Sequence, residues 1–135
     1  MTLSASRRTN RRVIIGFLLI DLLIVAMLFL VPFTTVITYR VNNINGAPAA
    51  AIEYRNPDSA ATQPRSINSE LPWKTDFMLK RTLFQRWFGS LPPLQISAQA
   101  SQTSTVPSIL IECEIIVDDD VLVRNRDTNA VFCQR

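Results

Sequence analysis

Ser108 to Val117 reads S-I-L-I-E-C-E-I-I-V, and its period decides the fold class. Ile109, Ile111, Cys113, Ile115 and Val117 fall on one side of an extended chain, and Glu112 and Glu114 fall on the other. A period of two marks a strand with one buried face, not a helix. A one-residue slip would turn every apolar side chain outward, so the register is strongly specified and Cys113 points inward.

Downstream, Asp118-Asp119-Asp120 reads as a turn, Val121 to Arg124 pairs back as a hairpin, and Asn129 to Cys133 (N-A-V-F-C) is a last strand. Upstream, Leu94 to Ala100 (L-Q-I-S-A-Q-A) alternates cleanly, with Leu94, Ile96, Ala98 and Ala100 on one face. Thr35 to Val41 and Ala50 to Arg55 read as two further strands. Asn42 to Pro48 is a turn cluster around Gly46, and the polar stretch from Asn56 to Asn68, with Pro57 and Pro64, reads as a loop. Many short strands without alternating long helices predict a mainly β fold, a small antiparallel β-sandwich.

The N-terminal part follows different rules. Val13 to Val31 is a run of 19 residues broken only by Gly16 and Asp21. As a helix it spans about 28 Å, one hydrocarbon core. Asp21 costs about 2.5 to 3.5 kcal/mol at mid-membrane, but fifteen Leu, Ile, Val and Phe at about 0.3 to 0.6 kcal/mol each outweigh it. Arg7, Arg8, Arg11 and Arg12 precede the run, and no charge follows it until Arg40. The positive-inside rule then places the N-terminus in the cytoplasm. A cleaved signal peptide fits less well, because the run is long and Pro32-Phe33-Thr34-Thr35 offers no small-residue cleavage site. The expected organisation is a basic cytoplasmic tail over residues 1–12, a transmembrane helix over 13–32 and an extracytoplasmic domain over 33–135. Such a chain sits in the cell inner (plasma) membrane as a single-pass protein.

The net charge of +3 does not signal nucleic-acid binding. From residue 32 onward ten Lys and Arg balance ten Asp and Glu, so the basic excess belongs to the tail and reports topology. Cys113 and Cys133 both lie in the exported part, where thiols pair, and a disulfide between them is expected. Two cysteines and no histidine cannot build a zinc site. The Asp118 to Asp120 run lacks the spacing of a calcium loop. Without histidine, a nucleophile elbow or a phosphate loop, no catalytic residues and no cofactor are expected.

Two features are candidates for function. Asp21 is costly within a membrane and points to a partner, with Ile14, Phe17, Ile24 and Leu28 sharing its helix face. No G-x-x-x-G accompanies it, which favours a different protein over a second copy. Between Leu71 and Pro93, the aromatic residues Trp73, Phe77, Phe84, Trp87 and Phe88 accompany Lys74, Lys80, Arg81 and Arg86. This segment reads equally as a helical stripe or as a strand from Lys74 to about Leu83 followed by a loop. Its aromatics either fill the sandwich core or form a basic lip for lipid headgroups, an apolar ligand or a partner.

These pieces occur in a recognisable order. Tyr39-x-Val41, Ala51-Ile52-x-Tyr54, Leu71-Pro72-Trp73, Cys113-x-Ile115-x-Val117-Asp118 and the terminal Cys133 resemble the mycobacterial membrane protein small (MmpS) family, accessory partners of the large RND-type MmpL lipid exporters. The resemblance covers roughly residues 39 to 133. It implies a seven-stranded, immunoglobulin-like sandwich with its two cysteines joined, and a helix packed beside an MmpL-like RND transporter. The implied role is support of the export of lipids, lipid-like metabolites or siderophores. Two departures stand out: Asp119 where the family often has Gly, and an apparent extension from Leu83 to Pro93. The alternative function is an independent envelope module that binds or senses lipid.

Overall fold

The computed structural model describes residues 4–46, 49–58, 63–101 and 108–135, with side chains from Val13 onward. It divides into two compact units, one of residues 1–33 with 80–90 and one of residues 34–79 with 91–135.

In the first unit, α1 runs from Ser4 to Leu30. The helix therefore begins well before Val13, and the basic segment continues it. It stops short of the expected boundary at residue 32 because Pro32 has no amide to donate and disfavours helical backbone before it. The last helical bond runs from the Val31 amide to the Met27 carbonyl, 3.2 Å. Val13–Leu30 is long and apolar enough to cross a membrane, and none of it is buried by the rest of the chain.

The second unit is an antiparallel β-sandwich of two four-stranded sheets. β1 (Pro32–Asn43), β4 (Trp73–Thr82), β6 (Leu110–Val117) and β7 (Asp120–Thr128) form one sheet in the order β4-β1-β6-β7. β2 (Ala49–Tyr54), β3 (Arg65–Glu70), β5 (Gln95–Ala100) and β8 (Ala130–Gln134) form the other in the order β3-β2-β5-β8. The short connections Leu71-Pro72 and Asn129 each carry the chain from the edge of one sheet to the edge of the other. Asn129 makes its crossing at φ 64°, a conformation that asparagine tolerates better than most residues.

The strand count is eight among the described residues, not seven. The extra strand is β3, in the stretch expected to be a loop. Arg65-Ser66-Ile67-Asn68-Ser69-Glu70 contains one apolar residue, so no hydrophobic period marks it. Its ladder to β2, from Ala49 opposite Glu70 to Tyr54 opposite Arg65, supplies the hydrogen bonds that make it a strand.

The core lies between the inward faces of β1, β2, β5, β6 and β8, with Ile37, Tyr39, Ile52, Leu94, Ile96, Ile111 and Ile115 among its fully buried side chains. Cys113 on β6 and Cys133 on β8 are joined across it, so the disulfide ties one sheet to the other. The opposite face of β6 is covered too. Glu112 and Glu114 are 7% and 2% exposed, because the strands beside β6 place arginines over them. Arg40 and Arg124 stand directly opposite Glu114, and Asn42 and Arg126 directly opposite Glu112. The Glu114 carboxylate meets Arg40 at 3.2 Å and Arg124 at 2.6 Å, and Glu112 meets Arg126 at 2.9 Å. Opposed charges on neighbouring strands stabilise the pairing.

Candidate functional site

The residues between Leu71 and Pro93 adopt neither expected arrangement alone. β4 occupies Trp73–Thr82, and a second helix, α2, follows at Leu83–Phe88. Strand alternation turns Trp73, Phe77 and Leu79 toward the core and Lys74, Met78 and Lys80 away from it. The Phe77 ring lies 5.6 Å from Tyr39 and 5.9 Å from Tyr54, and Trp73 lies 5.4 Å from Tyr54. Burial pushes the Tyr39 phenol up to about 12, so it stays a donor, to the Arg55 carbonyl at 2.9 Å. Trp73 and Phe77 are thus packing residues between the sheets.

α2 forms because both of its ends are capped locally. Thr82 and Gln85 make a capping box, the Thr82 hydroxyl accepting the Gln85 amide at 3.2 Å and the Gln85 side chain accepting the Thr82 amide at 3.0 Å. At the other end the Gly89 amide donates to the Gln85 carbonyl at 3.0 Å. The Arg81 guanidinium donates to the carbonyls of Gln85, Gly89 and Ser90. Arg81 therefore holds the end of a helix; it is not an open surface cation. Arg86 lies over the Phe33 ring, 5.9 Å from its centre.

No side chain of α2 is buried. Phe84 stacks on Phe29 of α1 with ring centres 4.8 Å apart and lies 5.2 Å from Phe88. Trp87 and Phe88 remain 70% and 71% exposed.

On α1, Phe17, Asp21, Ile24 and Leu28 recur at helical spacing and so share one face. Asp21 is exposed, and no group among the described residues bonds to it. Phe29, the α2 contact, lies eight residues further on, about 80° around the helix; Phe17 and Ile24 are exposed like Asp21, and Leu28 is partly covered.

A further feature is a concavity of about 490 Å³ on the outer face of the β3-β2-β5-β8 sheet. Small outward side chains line it, Ala51, Ser66, Ser97 and Ala130 among them, together with Glu53, Gln99, Asp127 and Phe132. Asn125 of β7 reaches across to the Phe132 carbonyl at 2.9 Å and closes one side.

No family model and no curated protein matches the chain.

The residues that carry the resemblance can be located nonetheless. Tyr39, Val41, Ile52, Tyr54, Cys113, Ile115 and Cys133 are all buried, and Leu71 and Trp73 pack against them. The pattern is one of packing positions and describes a core. The sequence reading left the segment from Leu71 to Pro93 open between a helix and a strand followed by a loop and did not place α2 after β4, although Thr82-x-x-Gln85 is a helix-start signature and Gly89 follows at the stop. It also missed the concavity, which depends on small outward residues from four strands and leaves no local signal.

Proposed function

We propose that this protein is a membrane-anchored accessory subunit of an MmpL-like RND-type transporter, supporting the export of lipids, lipid-like metabolites or siderophores. Asp21 carries the reading. A carboxyl near the middle of a membrane span is expensive unless it meets a partner or a wet cavity, and Asp21 has none within the described chain. The face around it carries the exposed Phe17 and Ile24, with Leu28 at its C-terminal end, and suits packing against a neighbouring helix. The order of motifs shared with the MmpS family supplies the kind of partner. The four arginines before the span favour a cytoplasmic N-terminus, and the paired cysteines suit an oxidising compartment for the sandwich. The role requires no catalytic group, metal or cofactor.

The test is affinity purification of the full chain in mild detergent from its own membranes. An MmpL-like transporter should co-purify, and Asp21→Leu should insert normally yet lose it. Failure of the unaltered chain to recover any such transporter would overturn the proposal.

The concavity on the β3-β2-β5-β8 sheet favours a second reading, an independent envelope module that binds or senses lipid. The full chain, purified without a transporter, should then bind a fluorescent fatty acid, and Ala51→Trp should block it. Absence of binding sinks that reading and leaves the first intact.

A further inference from the structure

α2 is a six-residue helix finished at both ends that buries none of its own side chains. A helix this short is not stable alone in water, and its capping box and the Arg81 guanidinium hold it in place. What they hold is an aromatic face, Phe84, Trp87 and Phe88, two of whose members are about 70% exposed. Ordering bulky apolar rings toward water gains nothing, so their surroundings are the question.

The position of α2 answers it. Phe84 stacks on Phe29, 4.8 Å between ring centres, and Phe29 is the penultimate residue of the Val13–Leu30 span. When that span crosses a bilayer, Phe29 lies where the hydrocarbon ends, and anything stacked on it lies at the same depth. Tryptophan is enriched at that level, where its ring sits among the headgroups. The charges agree. Beside Arg81, which holds the helix end, residues 80–90 contain Lys80 and Arg86 and no acidic residue, a composition suited to lipid phosphates.

We propose that α2 is a membrane-interface element, with Trp87 and Phe88 inserted into the headgroup boundary of the leaflet at the C-terminal end of α1, so that the chain contacts lipid at a second point beside its span. The inference needs α1 to span a membrane and needs no transporter, so it stands or falls separately from the proposed function. A second copy of the chain or a foreign helix would have to reach a face whose depth α1 already sets, whereas lipid is present there without any further binding event.

The chain has two tryptophans, Trp73 and Trp87, which makes the test direct. The full chain carrying Trp73→Phe is reconstituted into vesicles of phosphatidylcholine and phosphatidylglycerol, with bromine on the acyl chains either near the headgroup or near the chain end. Trp87 emission should be blue-shifted, mostly lost with bromine near the headgroup, little changed with bromine near the chain end, and shielded from aqueous iodide. Trp73, read in Trp87→Phe, should be indifferent to either bromolipid. If Trp73→Phe does not fold, subtracting the Trp87→Phe signal from the unaltered chain reads the same quantity. Trp87 open to iodide and untouched by bromolipid would overturn the proposal. So would Trp87 shielded from both, since protein would then cover the face.

Discussion

Asp118 closes on Val36 twice: its amide donates to the Val36 carbonyl at 2.9 Å, and its carboxylate accepts the Val36 amide at 2.9 Å. Val117 pairs with Asp120, so Asp118 and Asp119 form a two-residue hairpin turn between β6 and β7, with φ values of 49° and 71°. Positive φ at both positions is the type I′ pattern, which favours glycine and costs other residues free energy. The two aspartates are nevertheless not equivalent. Asp119→Gly should raise stability by about 1 kcal/mol. Asp118→Gly removes the same strain together with the acceptor for Val36, and should show no gain. Urea unfolding of the full chain in detergent, followed by tryptophan emission, distinguishes them.

Acid should loosen the sandwich through its outer carboxylates. Burial raises the Glu112 pKa, but hydrogen bonds from Arg126 and Asn42 and the charges of Arg126 and Arg124 outweigh it, leaving it below the ordinary 4.5. Asp76 lies below the ordinary 3.8, chiefly through the Thr38 hydroxyl, which donates to it at 2.6 Å. A carboxyl depressed in the folded state stabilises fully above its unfolded pKa and loses that contribution as pH falls through the folded value. The thermal midpoint should therefore hold from neutral pH down to about 5 and fall below about 4. Glu112→Gln should be less stable at neutral pH and show a shallower fall in acid. An equal or steeper fall would remove Glu112 from the account.

The bond between Cys113 and Cys133 closes a loop of sequence separation 20. Both side chains are almost wholly buried. Native protein should react with no thiol reagent, and reductant should act only once denaturant opens the core. Replacing both cysteines with alanine should lower stability by about 3 kcal/mol. Unfolding curves of the two proteins under identical denaturant provide the comparison, and equal midpoints would contradict it.

Gly89 is required by a close approach. A methyl group there would stand 2.6 Å from the Gln85 carbonyl oxygen and 3.2 Å from the Arg81 guanidinium. Gly89→Ala should break the end of α2 and speed hydrogen exchange at residues 85 to 89. The thermal midpoint of the sandwich should not move, because α2 buries nothing in its core. A shifted midpoint with unchanged exchange would contradict this.

Some of this was legible in the residues alone. The apolar run of α1, the alternation that turns Ile96, Ile111 and Ile115 inward, and the inward aim of Cys113 are local patterns, written in the period at which apolar side chains recur. Burial of one face against another follows from that period whatever the partner is, which is why the membrane helix and the β-sandwich emerge without coordinates. Other features depend on what stands on a neighbouring strand. β3 has almost no apolar residue and exists through its ladder to β2. Glu112 and Glu114 look like solvent-facing charges until β1 and β7 bring arginines over them. Of the residues grouped as one aromatic and basic surface, β4 turns Trp73 and Phe77 into the core, while α2 stacks Phe84 on Phe29 of α1. In each case the deciding contact joins residues far apart in the chain, and no local period encodes which strand or helix end will lie alongside.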